Sequence, residues 1–386
     1  MPVRSLSLIR TFNGFRTSSY RPVRYATTVS ATKNRSNVDY QQTATPKDVT
    51  RQLDTLPSDI LTFLMECQAS SGHDASSVFT VKGLQDMAKY YFEKSGKLIR
   101  PKIALLMSNV CNHQAKGAQP DIDLENVIRN QYRIAMVAEM IHTASLIHDD
   151  VIDEAGTRRG KPTANVKWGN KRAVLGGDRI LARATKLLCM TNDPTVITTM
   201  ASIVDNLVDG EFMQLEVNPT ADAVTRFQHY MQKTYYKTAS LFANSCLSVS
   251  ILAGCPIEQR QKAYDFGRHF GLSFQLVDDM LDYVASSAEL GKPSVADLKQ
   301  GLATGPVLFA AQEFPELNEM INRRFAENDD VERAHRIVLD SSALQQTRDL
   351  IRHHTQTAIS LVKELGNSAA SDSLVKLANS QMFRER

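Results

Sequence analysis

Several things are missing from this 386-residue chain, and each absence removes a class of function. No apolar run reaches the roughly 18 residues needed to cross a bilayer, so any membrane contact is expected to be peripheral. The five cysteines, Cys67, Cys111, Cys189, Cys246 and Cys255, form no CxxC pair and no regular spacing. That argues for reduced thiols in an intracellular compartment, acting as small buried apolar groups. There is no GxxxxGK[ST] loop, no GxGxxG fingerprint and no GxSxG elbow, so nucleotide binding and serine hydrolysis lack their usual carriers. The net charge of +3 does not suggest a nucleic-acid partner.

Acidic residues are also absent from residues 1–38, where Arg4, Arg10, Arg16, Arg21 and Arg24 recur among Ser, Thr and apolar residues. This composition fits a mitochondrial transit peptide, expected to be cleaved near residues 25–31; the other reading is a plain basic tail. The expected division is a transit peptide over 1–33, a loose polar lead-in over 34–57 and one large domain over 58–386, with no Gly/Ser/Pro linker inside it.

Beyond the lead-in the pattern is helical almost throughout. Segment 134–153 is apolar on most faces, as in a helix buried from all sides. Segments 171–190, 195–217, 225–252, 257–283 and 341–365 keep apolar residues at three- and four-residue steps, separated by turn signals such as Asn192-Asp193-Pro194 and Gly254-Cys255-Pro256. Alternating strand patterns are scarce, so the expected architecture is an all-α bundle with an internal cavity.

Into this pattern the sequence twice inserts the same acidic box. Asp149-Asp150-Val151-Ile152-Asp153 and Asp278-Asp279-Met280-Leu281-Asp282 each follow an apolar run, and a Gly-Lys-Pro trails each. On a helix, residues four apart share a face, so each box is a fork of Asp149 with Asp153, or Asp278 with Asp282. A lone DDxxD reads more readily as a solvated helix end. Two of them behind buried runs point to half-sites facing across one pocket. Crowded carboxylates without a Cys or His cluster suit a hard cation, Mg²⁺ before Zn²⁺, and Mg²⁺ suggests a phosphate ligand.

Cations are placed to meet such a ligand: Lys97 and Arg100 ahead of the boxes, Arg158 and Arg159 after the first, Lys237 between them, and Lys292 after the second. Arginine can grip diphosphate oxygens in pairs, and lysine acts as a mobile point charge. Gly96 reads either as a helix C-cap or as a place where backbone approaches a phosphate. His148 reads as a hydrogen-bonded, partly buried imidazole rather than a base. Ala144 and Ser145 lie about one turn before Asp149; their smallness fits either a passage for an elongated ligand or plain core packing.

With these residues, the chain resembles the trans-polyprenyl diphosphate synthases, and among them the mitochondrial long-chain type that supplies the ubiquinone side chain. EMIHTASLIH followed by DDVIDEAGTRRGKPTAN resembles the family's first aspartate-rich motif, and GLSFQLVDDMLDYVASSAELGKP its second. The likeness runs from about Gly96 to Phe309 and more loosely beyond, so Arg384 and Arg386 receive no role.

The resemblance implies the all-α isoprenoid synthase bundle, with a hydrophobic tunnel and about three Mg²⁺ ions bound with diphosphate. Asp149, Asp153 and Asp278 would hold the ions, supported by Asp150, Asp279 and Asp282. Arg158, Lys237 and Lys292 would add charge at the allylic diphosphate; Lys97, Arg100, His142 and Arg159 would hold isopentenyl diphosphate. Thr238 and Gln275 would line the gap between the two substrates, and Ala144 and Ser145 would bear on product length. A homodimer, or a hetero-oligomer with a related subunit, is expected in the mitochondrial matrix, with peripheral inner-membrane contact and no nucleic acid. The alternatives are a non-catalytic regulatory subunit, a shorter-chain geranylgeranyl synthase, or a terpene cyclase, which has no need of a second diphosphate site.

Overall fold

A computed structural model describes residues 46–66, 78–93, 96–115, 123–158, 160–216, 222–284 and 295–384. The transit-peptide expectation, Arg159, Lys292 and Arg386 lie outside the described residues.

The helical expectation holds. The helices in chain order begin with α1 (Pro46–Glu66), α2 (Val78–Phe92), α3 (Ile99–Ala115) and α4 (Leu124–Ile152). A hairpin of β1 (Thr157–Arg158) and β2 (Lys161–Pro162), the one sheet among the described residues, leads into α5 (Ala164–Trp168) and α6 (Asn170–Cys189). Next come α7 (Pro194–Leu215), α8 (Ala223–Thr234), a π-helical turn at Tyr235–Ala239, α9 (Ser240–Leu252) and α10 (Ile257–Val284). The last third holds α11 (Ala296–Lys299), α12 (Gly305–Glu313), α13 (Leu317–Asn322), α14 (Asp330–Asp340), α15 (Ala343–Leu365) and α16 (Ala369–Gln381). No described helix is long and apolar enough to cross a membrane.

Helix ends follow local chemistry. Asp193 accepts from the backbone N–H groups of Thr195 and Val196 at the start of α7, with Pro194 in the first turn, where its missing N–H costs nothing. Asp123 and Asp222 cap α4 and α8 in the same way. The expected lead-in is shorter than the sequence suggests: α1 begins at Pro46 and buries Val49, Leu56 and Ile60 in the core. Three apolar residues at helical steps within a mostly polar stretch are enough to dock it.

Helix α10 packs along α9 and α15, while α4 packs on α3 and α6. The approach of α9 and α10 is close because α10 carries glycine where they touch. A Cβ at Gly267 would lie 2.5 Å from the Phe242 carbonyl oxygen, and one at Gly271 would lie 2.5 Å from the Ala239 Cα. Phe242, Phe266 and Phe270 fill the space around that contact. The two long helices that carry the acidic boxes are thereby fixed by core packing along most of their length, with their C-terminal ends left to line a cavity.

Candidate active site

A cavity of about 1060 Å³ opens between these ends. Its lining gathers residues from far-separated parts of the sequence: Lys97 and Arg100 at the start of α3, His142, Ser145 and Asp149 on α4, and Arg158 on β1. Lys237 and Thr238 come from the π turn, and Gln275, Asp278 and Asp279 from α10. On α4 the cavity face runs Glu139, His142, Ser145, Leu146, Asp149, the three- and four-residue rhythm of one helix side. Ala144, one residue and about 100° off that face, is fully buried in the core and does not line the cavity. Of the two small residues singled out in the sequence, Ser145 is therefore the one on the wall, its hydroxyl donating to the His142 carbonyl oxygen at 3.0 Å.

The boxes are not the identical forks that their spelling suggests. Helix α4 ends at Ile152, so Asp153 is an exposed C-cap residue, whereas α10 continues to Val284 and buries Asp282 completely. Asp282 Oδ2 accepts the backbone N–H of Asp297 at 3.0 Å and so anchors α11. In the second box Asp279 joins Asp278 on the cavity wall instead of Asp282. Asp150 is fully buried, with Oδ1 taking the Arg158 Nε–H at 2.8 Å and Oδ2 left without a hydrogen-bond partner. This contact fixes Arg158 at the mouth of the first box.

Electrostatics mark the first box as a place suited to a cation. Burial is the main reason that the Asp149 carboxyl is pushed up to about 7; Lys237 pulls it back, while Glu211 and Asp153 push it further. Burial raises Asp150 and Asp153 too. Carboxylates crowded this way hold their charge only beside positive charge. Lys237 supplies some: it pairs with Glu211 and donates to Gln214 Oε1 at 3.1 Å. Its stem passes over Gly210, where a Cβ would stand 2.6 Å from the Lys237 Cγ. Among the described residues no group of three or more His, Cys, Asp or Glu side chains forms a complete metal cage. The donor set is nonetheless all hard oxygen and underneutralised, which suits a divalent cation that keeps waters and shares phosphate oxygens.

On the opposite wall a hydrogen-bond chain sets the central amide. Thr238 Oγ1 donates to Gln275 Oε1 at 2.8 Å, and Gln275 Nε2 donates to Asp279 Oδ1 at 2.8 Å. Tyr230 completes the chain with a 2.6 Å donation to Asp279 Oδ2. Gln275 is held with its oxygen toward Thr238 because both its ends are engaged.

At the third corner Arg100 donates to His142 Nε2 at 3.0 Å, so the proton of a neutral His142 sits on Nδ1. The Arg100 guanidinium lies 5.3 Å from the Phe242 ring centroid. Leu98 takes a left-handed φ of 49°, a conformation unusual for leucine, in the turn that brings both Lys97 and Arg100 to the cavity. Gly96 lines the cavity as well. His148 lies off the lining, with Nε2 3.2 Å from the Val174 carbonyl oxygen.

Sequence reasoning missed three charged residues that the fold brings in, Glu211, Lys233 and Arg384, and gave a fourth, Asp297, no role of its own. Arg384, just past α16, pairs with Asp278 and stands 4.4 Å from the Phe274 ring centroid. A basic residue near a chain end has no local signature. Asp297 could have been weighed more heavily, because it closely follows the second box.

Comparison with known proteins agrees with this geometry. A sequence model described as polyprenyl synthetase matches residues 81–338. The all trans-polyprenyl-diphosphate synthase PDSS1 of Mus musculus is 46% identical over 308 residues, covering 80% of this chain and 73% of that protein. A probable mitochondrial hexaprenyl pyrophosphate synthase of Neurospora crassa is 39% identical over 342 residues, covering 78% and 76%. Among solved structures, a Caulobacter crescentus polyprenyl synthase complexed with calcium and isoprenyl diphosphate superposes with a TM-score of 0.72 at 28% identity, covering 90% of this chain and 100% of that one. A Rhodobacter capsulatus decaprenyl diphosphate synthase gives 0.72 at 28% identity, covering 88% and 98%. By its motifs, its bundle and these matches, the chain belongs to the polyprenyl synthetase family.

Proposed function

We propose that this enzyme condenses an allylic diphosphate, farnesyl or geranylgeranyl, with successive isopentenyl diphosphates to a long-chain all-trans-polyprenyl diphosphate for the ubiquinone side chain. The observation that carries the reading is the meeting of both acidic boxes with two groups of cations on one cavity: Lys237 and Arg158 beside the first box, Lys97 and Arg100 apart from it.

Each group has a task. Asp149, Asp153 and Asp278 would hold about three Mg²⁺ ions, with Asp150, Asp279 and Asp282 keeping them in register. When bound, the metal supplies positive charge to the departing diphosphate. Arg158, Lys237 and Lys292 add to that charge as the allylic C–O bond ionises, which is stabilisation of charge formed in the transition state. Lys97, Arg100, His142 and Arg159 hold isopentenyl diphosphate so that its double bond faces the allylic carbon. Thr238 and Gln275 present oxygens to the developing carbocation, and the fixed amide of Gln275 keeps them there. The proton lost after attack goes to the released diphosphate, so no side-chain base is required.

Product length is set on the wall below Asp149. Ser145 leaves that wall open; a long chain can descend past it. The acid-free residues 1–38 and the word mitochondrial in the names of fungal relatives support a mitochondrial location, in the matrix with peripheral inner-membrane contact. We favour a homodimer or a hetero-oligomer with a related subunit. A non-catalytic subunit is disfavoured because Asp149, Asp278, Lys237 and Gln275 all still meet in the cavity.

The test is to purify the chain from about Asn34, add farnesyl or geranylgeranyl diphosphate, isopentenyl diphosphate and Mg²⁺, and read product length by mass spectrometry. Long all-trans products support the reading. Activity appearing only with a related subunit makes the enzyme an obligate hetero-oligomer, and no coupling of isopentenyl diphosphate under either condition rejects it.

A further inference from the structure

Four other cations on this cavity are engaged. Lys237 pairs with Glu211, Arg158 with Asp150 and Arg384 with Asp278, while Arg100 donates to His142. Lys233 differs. It lines the cavity from the last turn of α8, half-buried, and among the described residues its ammonium makes no ion pair or hydrogen bond.

Its surroundings are nevertheless charged. Asp279, Asp297 and Glu211 pull on it electrostatically, and Lys237, four residues on along the same side, repels it. None of these carboxylates is at contact distance. Asp279 already spends both oxygens on neutral donors, Tyr230 and Gln275. Burial is the main influence that depresses the Lys233 ammonium below a free lysine, with Lys237 acting in the same direction. A partly dehydrated ammonium facing another ammonium is favoured by an anion that can bridge them.

We propose that Lys233 is a further substrate-binding residue, whose ammonium contacts an oxygen of the allylic diphosphate on the side of Asp278 and Asp279. Lys237 then serves the first box and Lys233 the second, so two lysines one helical turn apart on the same side grip the leaving group. This rests on the reading of the cavity as a diphosphate site.

The test compares Lys233→Met and Lys233→Arg with the wild type. Titration calorimetry with inorganic diphosphate at saturating Mg²⁺ reads binding without catalysis, and steady-state kinetics read KM for each substrate. One charge-assisted contact predicts about a 10-fold or greater loss of diphosphate affinity in Lys233→Met. KM for farnesyl diphosphate should rise and kcat fall, with KM for isopentenyl diphosphate nearly unchanged. Lys233→Arg should recover much of the loss, and ligand-free melting temperature should not fall in either variant. Wild-type diphosphate affinity in Lys233→Met would overturn the proposal, as would equal losses in both variants together with a lower melting temperature, the mark of a structural counter-ion to Asp279. If the wild type itself fails to bind diphosphate with Mg²⁺, the reading of the cavity falls and this proposal with it.

Discussion

Arg384 and Asp278 form an ion pair that joins the last described residue of the chain to the second acidic box. One carboxylate oxygen cannot serve a guanidinium and a divalent ion at full strength together. The pair is partly exposed, so it contributes roughly 0.5 to 1 kcal/mol. Arg384→Ala should therefore lower the Mg²⁺ concentration for half-maximal diphosphate binding about 2- to 5-fold, measured by calorimetry. A weaker requirement for the tail would leave that concentration unchanged.

Lys237 reaches its place over Gly210, and the stem has no room for a methyl group there. Gly210→Ala should displace the ammonium from Glu211 and the first box while leaving the core intact. We expect kcat to fall by about 10- to 100-fold, approaching the roughly 100-fold or greater loss expected for Lys237→Ala. Circular dichroism and melting temperature close to wild type would assign the loss to the site.

Ser145 lies one turn below Asp149 on the cavity wall. Ser145→Phe should plug the passage and shift products to shorter chains with turnover of the first condensation retained. Ala144→Phe places the same ring in the core instead and should cost about 1 to 3 kcal/mol of stability, read from denaturant midpoints. Equal shortening by both variants would contradict the different positions of the two residues.

A pH effect on stability should come from far outside the site. His269 Nδ1 and His354 Nδ1 are 2.8 Å apart, so one must donate and the other accept, and protonating the acceptor would set two N–H groups against each other. Burial is the first cause of depression at both; Arg268 and His353 add positive charge, and His269 is brought down to about 3. The sign follows from the reference: in the unfolded chain each histidine takes up its proton near 6.5, and in the folded chain only well below that. Stability from this pair is thus fully present above about pH 6.5 and is lost as pH falls toward 3. Between pH 6.5 and 5.5 the loss should be roughly 1 to 2 kcal/mol. A shallower slope in His269→Asn, in urea unfolding across that range, checks the assignment.

Most of the architecture could be read from periodicity. The segments expected over 171–190, 195–217, 257–283 and 341–365 correspond to Asn170–Cys189, Pro194–Leu215, Ile257–Val284 and Ala343–Leu365. Turn residues bounded them, and burial of one face enforced them. What periodicity could not reveal was where each box falls relative to its helix end. That placement exposes Asp153 and buries Asp282 despite identical spelling, because α4 stops one residue before its third aspartate and α10 runs past it. Glu211, Lys233 and Arg384 were illegible for a related reason: each reaches the site through tertiary packing, and none sits in a local pattern that distinguishes it from a surface charge.

The π-helical turn at Tyr235–Ala239 carries a consequence for engineering. Such a turn holds one residue more than the α-helical geometry around it, and regular hydrogen bonding would be regained by deleting that residue. The deletion would rotate the residues after it by about a quarter revolution relative to α8, changing which side chains of this segment and of α9 face the cavity. Shortening this segment for thermal robustness would thus trade catalysis for regularity, and the irregular turn is best kept as a fixed point in any redesign of the chain.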